Sequence, residues 1–353
     1  MNIRGKELAH GIIQGGMGVG VSLSSLAGSV AKEGCMGVIS SVNIGFNEPD
    51  FMENPFEANI RALKEHIKKA KEISKGNGLI GVNIMVAVSH YEETVKAAIE
   101  AGADAIISGA GLPLKLAELV KGSDTLFAPI VSSKRAAMLL CKSFVKKAGI
   151  LPDFLVIEGH QAGGHLGFSA DDLKSDTCQP NLQILKEVKE AIKPFEEEFK
   201  KKIYVFLGGG IFDSKDVKEA TEAGADGVQI GTRFIATKEC DVDEAFKQVI
   251  VDSKEEDIRI IKSPVGMPAR AIYTPLLQKL DEGKSFLAKK CNSCLTACPK
   301  GDNIPYCISR ALIAAAHGNK EEGLFFCGEN APRVKDIVTV KELIDELTCV
   351  QPL

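Results

Sequence analysis

Short apolar segments alternate with longer amphipathic segments along most of this chain of 353 residues. Residues 79–86 and 153–157 are apolar enough for strands that are buried on both faces. Residues 54–75 and 134–148 instead show the period of amphipathic helices, and a helix over residues 22–34 has Ser22 as its expected N-cap. The pattern predicts eight strands, each followed by a helix or a helical candidate, beginning near residues 11, 36, 79, 104, 126, 153, 203 and 226.

This regular alternation indicates an α/β protein with a parallel sheet and right-handed crossovers. Residues 100–110 and 222–232 repeat one pattern, a Glu-Ala-Gly-Ala-Asp helix end followed by an apolar strand. Eight such units within about 250 residues predict a (β/α)8 TIM barrel. The alternative is an open doubly wound sheet, which usually carries a Gly-x-Gly-x-x-Gly turn after its first strand. Residues 15–20 lack that spacing, so we favour the barrel.

The alternating pattern ends before the last quarter of the chain. Residues 263–270 are predicted to form an extended linker that lies back on the barrel, and residues 271–280 a short helix. Six of the ten cysteines follow residue 290, which marks a separate C-terminal unit. We therefore expect a barrel over residues 1–275 and a Cys-containing, mainly helical extension over residues 276–353.

Composition excludes several classes of partner. The net charge of −4, the absence of tryptophan and the lack of a long basic tract argue against nucleic acid. No apolar run approaches the roughly 20 residues that span a bilayer, and the N-terminal residues lack the apolar core of a signal peptide. We expect a cytoplasmic protein that acts on a small molecule, with no membrane partner, and the sequence leaves a homodimer open.

The most informative segment is residues 158–167, Glu-Gly-His-Gln-Ala-Gly-Gly-His-Leu-Gly, directly after the sixth predicted strand. Ligands bind at the carboxyl ends of barrel strands, and an imidazole is the side chain best suited to move a proton near neutral pH. His165 is therefore the candidate catalytic base, with His160 as its rival. The alternative is a glycine-rich turn whose histidines only form structural hydrogen bonds.

Glycines also follow the seventh and eighth strands. Loops at these positions of a barrel often bind phosphate through free backbone N–H groups. Glycines that merely end helices would precede strands, as Gly102 and Gly224 do. The candidate phosphate-binding residues are Gly163, Gly164, Gly209, Gly210, Gly231 and Thr232.

A second signal joins the first and third strands. Residues 14–17, Gln-Gly-Gly-Met, follow the first strand, and Asn83 lies within the third. An amide in a buried strand needs a hydrogen-bond partner. Asn83 therefore either contacts the polar edge of a bound ring or holds a neighbouring loop in place.

Taken in order, these motifs resemble the nitronate monooxygenase (formerly 2-nitropropane dioxygenase) family and its relatives, the flavin-dependent enoyl-acyl-carrier-protein reductases. The resemblance spans roughly residues 8–275 and also includes residues 108–113 and 208–211. It implies a bound FMN, and His165 aligns with the catalytic histidine of the family. The residues implied to hold the phosphate are Gly164, Gly209, Gly210, Gly231 and Thr232, and those implied to line the flavin ring are Gln14, Gly15, Gly16, Met17 and Asn83.

The implied reaction is the FMN-dependent oxidation of nitronates or nitroalkanes to carbonyl compounds and nitrite, in which His165 takes a proton from carbon. The alternative at the same site is an NAD(P)H-dependent reduction of enoyl thioesters. A third possibility, a sugar-phosphate isomerase without a redox role, would need acid–base groups at several strand ends. Only Glu158 meets that requirement.

The C-terminal cysteines have metal-binding spacing. The run from Cys291 to Pro299, C-x2-C-x3-C-P, resembles the last three ligands of a bacterial ferredoxin, whose first cysteine is missing here. Cys307 or Cys327 would have to replace it. An iron–sulfur cluster, a zinc site and a reduced thiol cluster without metal all remain open. The candidate metal ligands are Cys291, Cys294, Cys298 and Cys307.

Overall fold

Eight parallel strands close into a barrel in the computed structural model, which describes residues 1–288, 290–298 and 304–349. The strands follow one another around the barrel in chain order, and β8 pairs with β1 to close it. The predicted (β/α)8 barrel is therefore confirmed. The strands are β1 (Ile12–Gln14), β2 (Met36–Ser40), β3 (Leu79–Met85), β4 (Ala105–Gly109), β5 (Leu126–Val131), β6 (Phe154–Glu158), β7 (Tyr204–Gly208) and β8 (Gly227–Ile230).

Alternate positions of each strand point into the barrel, because successive side chains of a strand face opposite ways. Phe154 and Val156 of β6 pack inside with Phe206 of β7. The next inward position of β6 is Glu158, which pairs with Gly208 of β7. The inward row thus changes from apolar to polar at the carboxyl end of the barrel, where a carboxyl group faces a glycine.

The described helices are α1 (Ser24–Lys32), α2 (Pro55–Ser74), α3 (Tyr91–Glu100), α4 (Leu116–Val120), α5 (Lys134–Ala148), α6 (Ala170–Ser175), α7 (Asn181–Phe199), α8 (Ser214–Glu222), α9 (Thr232–Ile235), α10 (Glu244–Asp252), α11 (Pro275–Asp281), α12 (Ile308–Ala316) and α13 (Val340–Thr348). Most of them bury apolar faces against the outward side chains of the strands, whereas α6 has no buried residue and α11 packs in a separate cluster. None of the described helices is long and apolar enough to cross a membrane.

The predicted cap of α1 is wrong. Ser22 Oγ accepts a hydrogen bond from Met17 N at 2.7 Å, within the turn after β1. The carboxylate of Asp241, far along the chain, accepts instead from the backbone N–H groups of Leu23, Ser25 and Leu26. A carboxylate satisfies the free amides at a helix N-terminus and interacts favourably with the helix dipole.

The predicted linker and short helix after the barrel are partly wrong. Pro268–Ile272 is a strand that pairs antiparallel with Ile258–Lys262 on one side and with Gly164–His165 on the other. The helix α11 begins only after this strand, at Pro275. The partner strands satisfy the backbone groups of residues 268–272, and this outweighs the weak local preference for a helix.

The C-terminal residues pack on the barrel. The buried face of α13, which includes Val340, Leu343 and Leu347, belongs to the same hydrophobic cluster as the outer face of the barrel strands. A smaller cluster joins α11 to α12 through Leu276, Tyr306 and Ala311. The chain after the barrel is therefore fixed against the barrel through apolar contacts.

Candidate active site

A cavity of about 530 Å³ opens at the carboxyl end of the barrel. Apolar side chains such as Met85, Ile130 and Phe326 form much of its wall. The predicted site residues in its lining are Gly16, Met17, Asn83, Gly163, Gly164, His165, Gly231 and Thr232. The structure thus brings together one glycine-rich loop from each of β1, β6 and β8, as the sequence predicts.

Gln14 and Gly15 lie outside the cavity lining. The Gln14 side chain is fully buried, its Oε1 accepting from Val38 N at 3.0 Å and its Nε2 donating to Val38 O at 3.3 Å. Gly15 lies against the side chain of Gln229, which does line the cavity. The amide of Gln14 therefore joins β1 to β2, and Gln229 of β8 is a glutamine that does line the cavity.

Gly209 and Gly210 also lie outside the cavity lining. Both have φ of +89°, which favours glycine, and their carbonyl oxygens accept from the side-chain amides of Asn181 and Asn330, each at 2.7 Å. A Cβ at Gly210 would lie 2.4 Å from Gln161 Oε1. These glycines therefore let the loop after β7 pack closely against the loop after β6.

His165 lies in the cavity wall on the short strand Gly164–His165. Its Nε2 is 2.7 Å from the hydroxyl of Ser263, which is fully buried, and its ring lies edge-on to Phe326 with centroids 5.2 Å apart. Burial lowers the pKa of His165 to about 4. The imidazole is therefore neutral near pH 7 and able to accept a proton. The rival His160 does not line the cavity.

Glu158 is the acidic group of the cavity. It ends β6, lines the cavity, and has no hydrogen bond or ion pair from its carboxyl group within the described residues. Burial raises the pKa of Glu158 to about 7. Protonated and ionised forms are then both populated near neutral pH. From the sequence this residue stood out only as a lone carboxylate at a strand end.

Residues 326–330 close the cavity on the side of the predicted phosphate loops, and the sequence motifs gave no sign of this. Gly328 N donates to Thr232 Oγ1 at 2.8 Å, and Glu329 N donates to Gln161 O at 3.1 Å. A Cβ at Gly163 would lie 2.4 Å from the backbone carbonyl carbon of Cys327. The wall at Thr232 is thus formed by segments nearly a hundred residues apart in sequence.

The candidate metal ligands lie beside this cavity. Cys294 is part of its lining, and Ser293 N donates to Cys291 Sγ at 3.4 Å. Burial, and then the charges of Cys307, Cys298 and Cys291, raise the pKa of Cys294 to about 11. Within the described ranges, no group of three or more His, Cys, Asp or Glu side chains is placed to hold a metal ion. The metal prediction gains no support, and Pro299 lies outside the described residues.

Curated relatives of this protein match nearly its whole length. A curated protein of Bacillus subtilis, a probable nitronate monooxygenase, is 23% identical over 97% of this chain and 96% of its own length. A Mycobacterium tuberculosis dehydrogenase that acts on an octahydroindene carboxyl-CoA is 24% identical over 96% of this chain and 92% of its own length.

A solved structure shares the architecture at similar identity. FabK from Thermotoga maritima superposes with a TM-score of 0.70 at 25% identity, over 96% of this chain and 92% of that chain.

A family model described as nitronate monooxygenase matches residues 3–349. The match extends beyond the barrel motifs and includes the cysteine-containing extension. The chain therefore belongs to the nitronate monooxygenase family and is an oxidoreductase.

Proposed function

We propose that this enzyme binds FMN in the barrel cavity and oxidises nitronates or nitroalkanes. The observation that carries the proposal is the meeting of His165 with glycine loops from β1, β6 and β8 around one cavity. Bound flavin would supply the electron transfer, and the protein would supply binding and orientation. The family match supports the same chemistry.

The wall at Gly163, Gly164, Gly231 and Thr232 fits a phosphate group. Gly231 leaves open space, because a Cβ there would meet only Met17 Sδ at 3.5 Å. Thr232 Oγ1 accepts from Gly328 N, so its own O–H remains available to an anion. We assign the phosphate of FMN to this wall, while Gly209 and Gly210 support it from behind.

The adjoining wall, where Met17 approaches Gly231, fits the flavin ring. A Cβ at Gly16 would lie 2.4 Å from Asn83 Cβ, so glycine brings the β1 loop into close contact with β3. Asn83 and Gln229 line the cavity there and are able to donate and accept hydrogen bonds. We assign the ring to Gly16, Met17, Asn83 and Gln229.

His165 would take the proton from the carbon of a neutral nitroalkane. In the tautomer whose Nε2–H donates to Ser263 Oγ, Nδ1 keeps its lone pair and accepts this proton. The depressed pKa keeps the ring neutral, and therefore ready to act as a base, above about pH 5. A nitronate, which has already lost this proton, would not need the step.

A second candidate is the NAD(P)H-dependent reduction of enoyl thioesters. It is supported by the likeness to FabK, an enoyl-acyl-carrier-protein reductase, at 25% identity and a TM-score of 0.70 over 96% of this chain. The apolar cavity wall would accept an acyl chain as readily as an alkyl nitronate.

Two assays on FMN-loaded enzyme separate these candidates. We expect oxygen uptake and nitrite release with an alkyl nitronate in the absence of NAD(P)H. The reductase candidate instead requires NAD(P)H consumption that depends on a crotonyl thioester. Thioester-dependent consumption without nitronate turnover would overturn the proposed substrate and leave the FMN site standing.

A further inference from the structure

Arg270 is a buried cation without a carboxylate partner. It is 6% exposed, and within the described residues its guanidinium makes no ion pair. Arg233, also buried at 9% exposure, is paired with Glu346 at 2.6 Å. A buried charge normally requires a counter-charge, because its desolvation costs several kcal/mol. Arg270 therefore lacks the compensation that Arg233 has.

The charge of Arg270 lies directly behind the proposed phosphate wall. Arg270 pairs with Gly164 in the antiparallel sheet, and Arg270 Nη1 donates to His160 O and Ala162 O, each at 2.6 Å. Carbonyl oxygen and amide hydrogen point in opposite directions across a trans peptide. Because Ala162 O faces the guanidinium, the N–H of Gly163 points away from it, and Gly163 lines the cavity.

The surroundings of Arg270 leave it cationic. Burial lowers its pKa, and the nearby Glu329, Cys327 and Cys178 act in the opposite direction. An arginine remains protonated even after a substantial decrease in its pKa. The positive charge is thus held under the loop that carries Gly163 and Gly164, and Glu329, whose charge raises the pKa of Arg270, forms no ion pair with it among the described residues.

We infer that Arg270 determines specificity for the phosphate of the cofactor, so that the site selects FMN over unphosphorylated riboflavin. The inference rests on the proposed FMN site. Arg270 would act in two ways, both on the loop that carries Gly163 and Gly164. It holds two carbonyl oxygens so that the Gly163 amide faces the anion, and its charge balances the phosphate dianion.

The test measures the dissociation constants of FMN and riboflavin by flavin fluorescence quenching, using flavin-free protein. For Arg270→Gln, which keeps amide donors but loses the charge, we expect FMN binding to weaken about tenfold or more while riboflavin binding changes less than about threefold. Arg270→Lys, which keeps the charge, should retain most of the preference for FMN. Arg333→Gln, at an exposed arginine paired with Asp213, should match the wild type.

Each other outcome overturns a different statement. If Arg270→Gln keeps the full preference for FMN, or weakens both flavins equally, Arg270 has only a structural role and the inference fails. If wild-type protein binds the two flavins equally well, the phosphate wall itself is refuted. If wild-type protein binds neither flavin, the proposed function fails. Riboflavin binding by Arg270→Gln shows at the same time that this variant is folded.

Discussion

Gly163→Ala tests whether the contact between the β6 loop and residues 326–330 builds the phosphate wall. The added Cβ would lie 2.4 Å from the Cys327 carbonyl carbon and 2.7 Å from Gly328 N, and backbone atoms have little freedom to retreat. Overpacking of this kind costs about 1–3 kcal/mol. Relief requires one segment to move, which disturbs the hydrogen bond from Gly328 N to Thr232 Oγ1.

We therefore expect Gly163→Ala to lower the free energy of unfolding in urea by about 1–3 kcal/mol. If the same displacement acts on the cofactor site, FMN affinity falls roughly 5- to 150-fold. Gly231→Ala is the matched control for stability alone, because its Cβ meets only Met17 Sδ at 3.5 Å. Its methyl group would enter the space assigned to the phosphate, so FMN affinity is compared between Gly163→Ala and the wild type. Equal stability of the two variants, or wild-type FMN affinity in Gly163→Ala, would refute the reasoning.

Three further predictions concern titratable groups and the cysteines. His165→Asn should retain FMN but lower the turnover of a neutral nitroalkane by about 10²–10⁴-fold. Wild-type turnover should fall only as the pH approaches 4. Unchanged turnover in the variant would show that His165 is not the base. Because the pKa of Glu158 is raised to about 7 in the folded state, its ionisation destabilises the fold as pH rises through 7. Glu158→Gln should therefore stabilise flavin-free protein against urea at pH 8 but not below pH 4.5. Equal effects of the substitution at both pH values would contradict this. If Cys291, Cys294, Cys298 and Cys307 hold a metal, anaerobically purified protein should contain iron or zinc that Cys294→Ser loses, and wild-type protein with neither metal would end that prediction.

The order of strands and helices was predictable because it depends on local periodicity. The buried strand β5 is a continuous apolar run and β6 is apolar up to its last residue, and α5 was predicted with the bounds it has, Lys134–Ala148. The glycine loops and His165 were also identifiable, since residues at the carboxyl ends of barrel strands share one face of the fold. Local pattern therefore determined the architecture and indicated the end of the barrel at which the cavity lies.

The same local pattern did not separate residues of the cavity lining from residues outside it. Gln14 was predicted to line the flavin ring, and its side chain hydrogen-bonds to Val38 of the next strand. Gly209 and Gly210 were predicted to hold the phosphate, and they pack against residues 159–162. A polar residue or a glycine at a strand end has the same sequence signal whether it faces a ligand or a neighbouring segment.

The sequence by itself determined an eight-stranded parallel barrel with a histidine and glycine loops at its carboxyl end. Only the tertiary structure showed that Ser263 contacts His165 across 98 residues and that Gly328 contacts Thr232 across 96 residues. It also showed that residues 268–272 form a strand, in which Arg270 pairs with Gly164. The physical reason is that such contacts depend on which distant segments share a surface, and neither local periodicity nor local propensity records this.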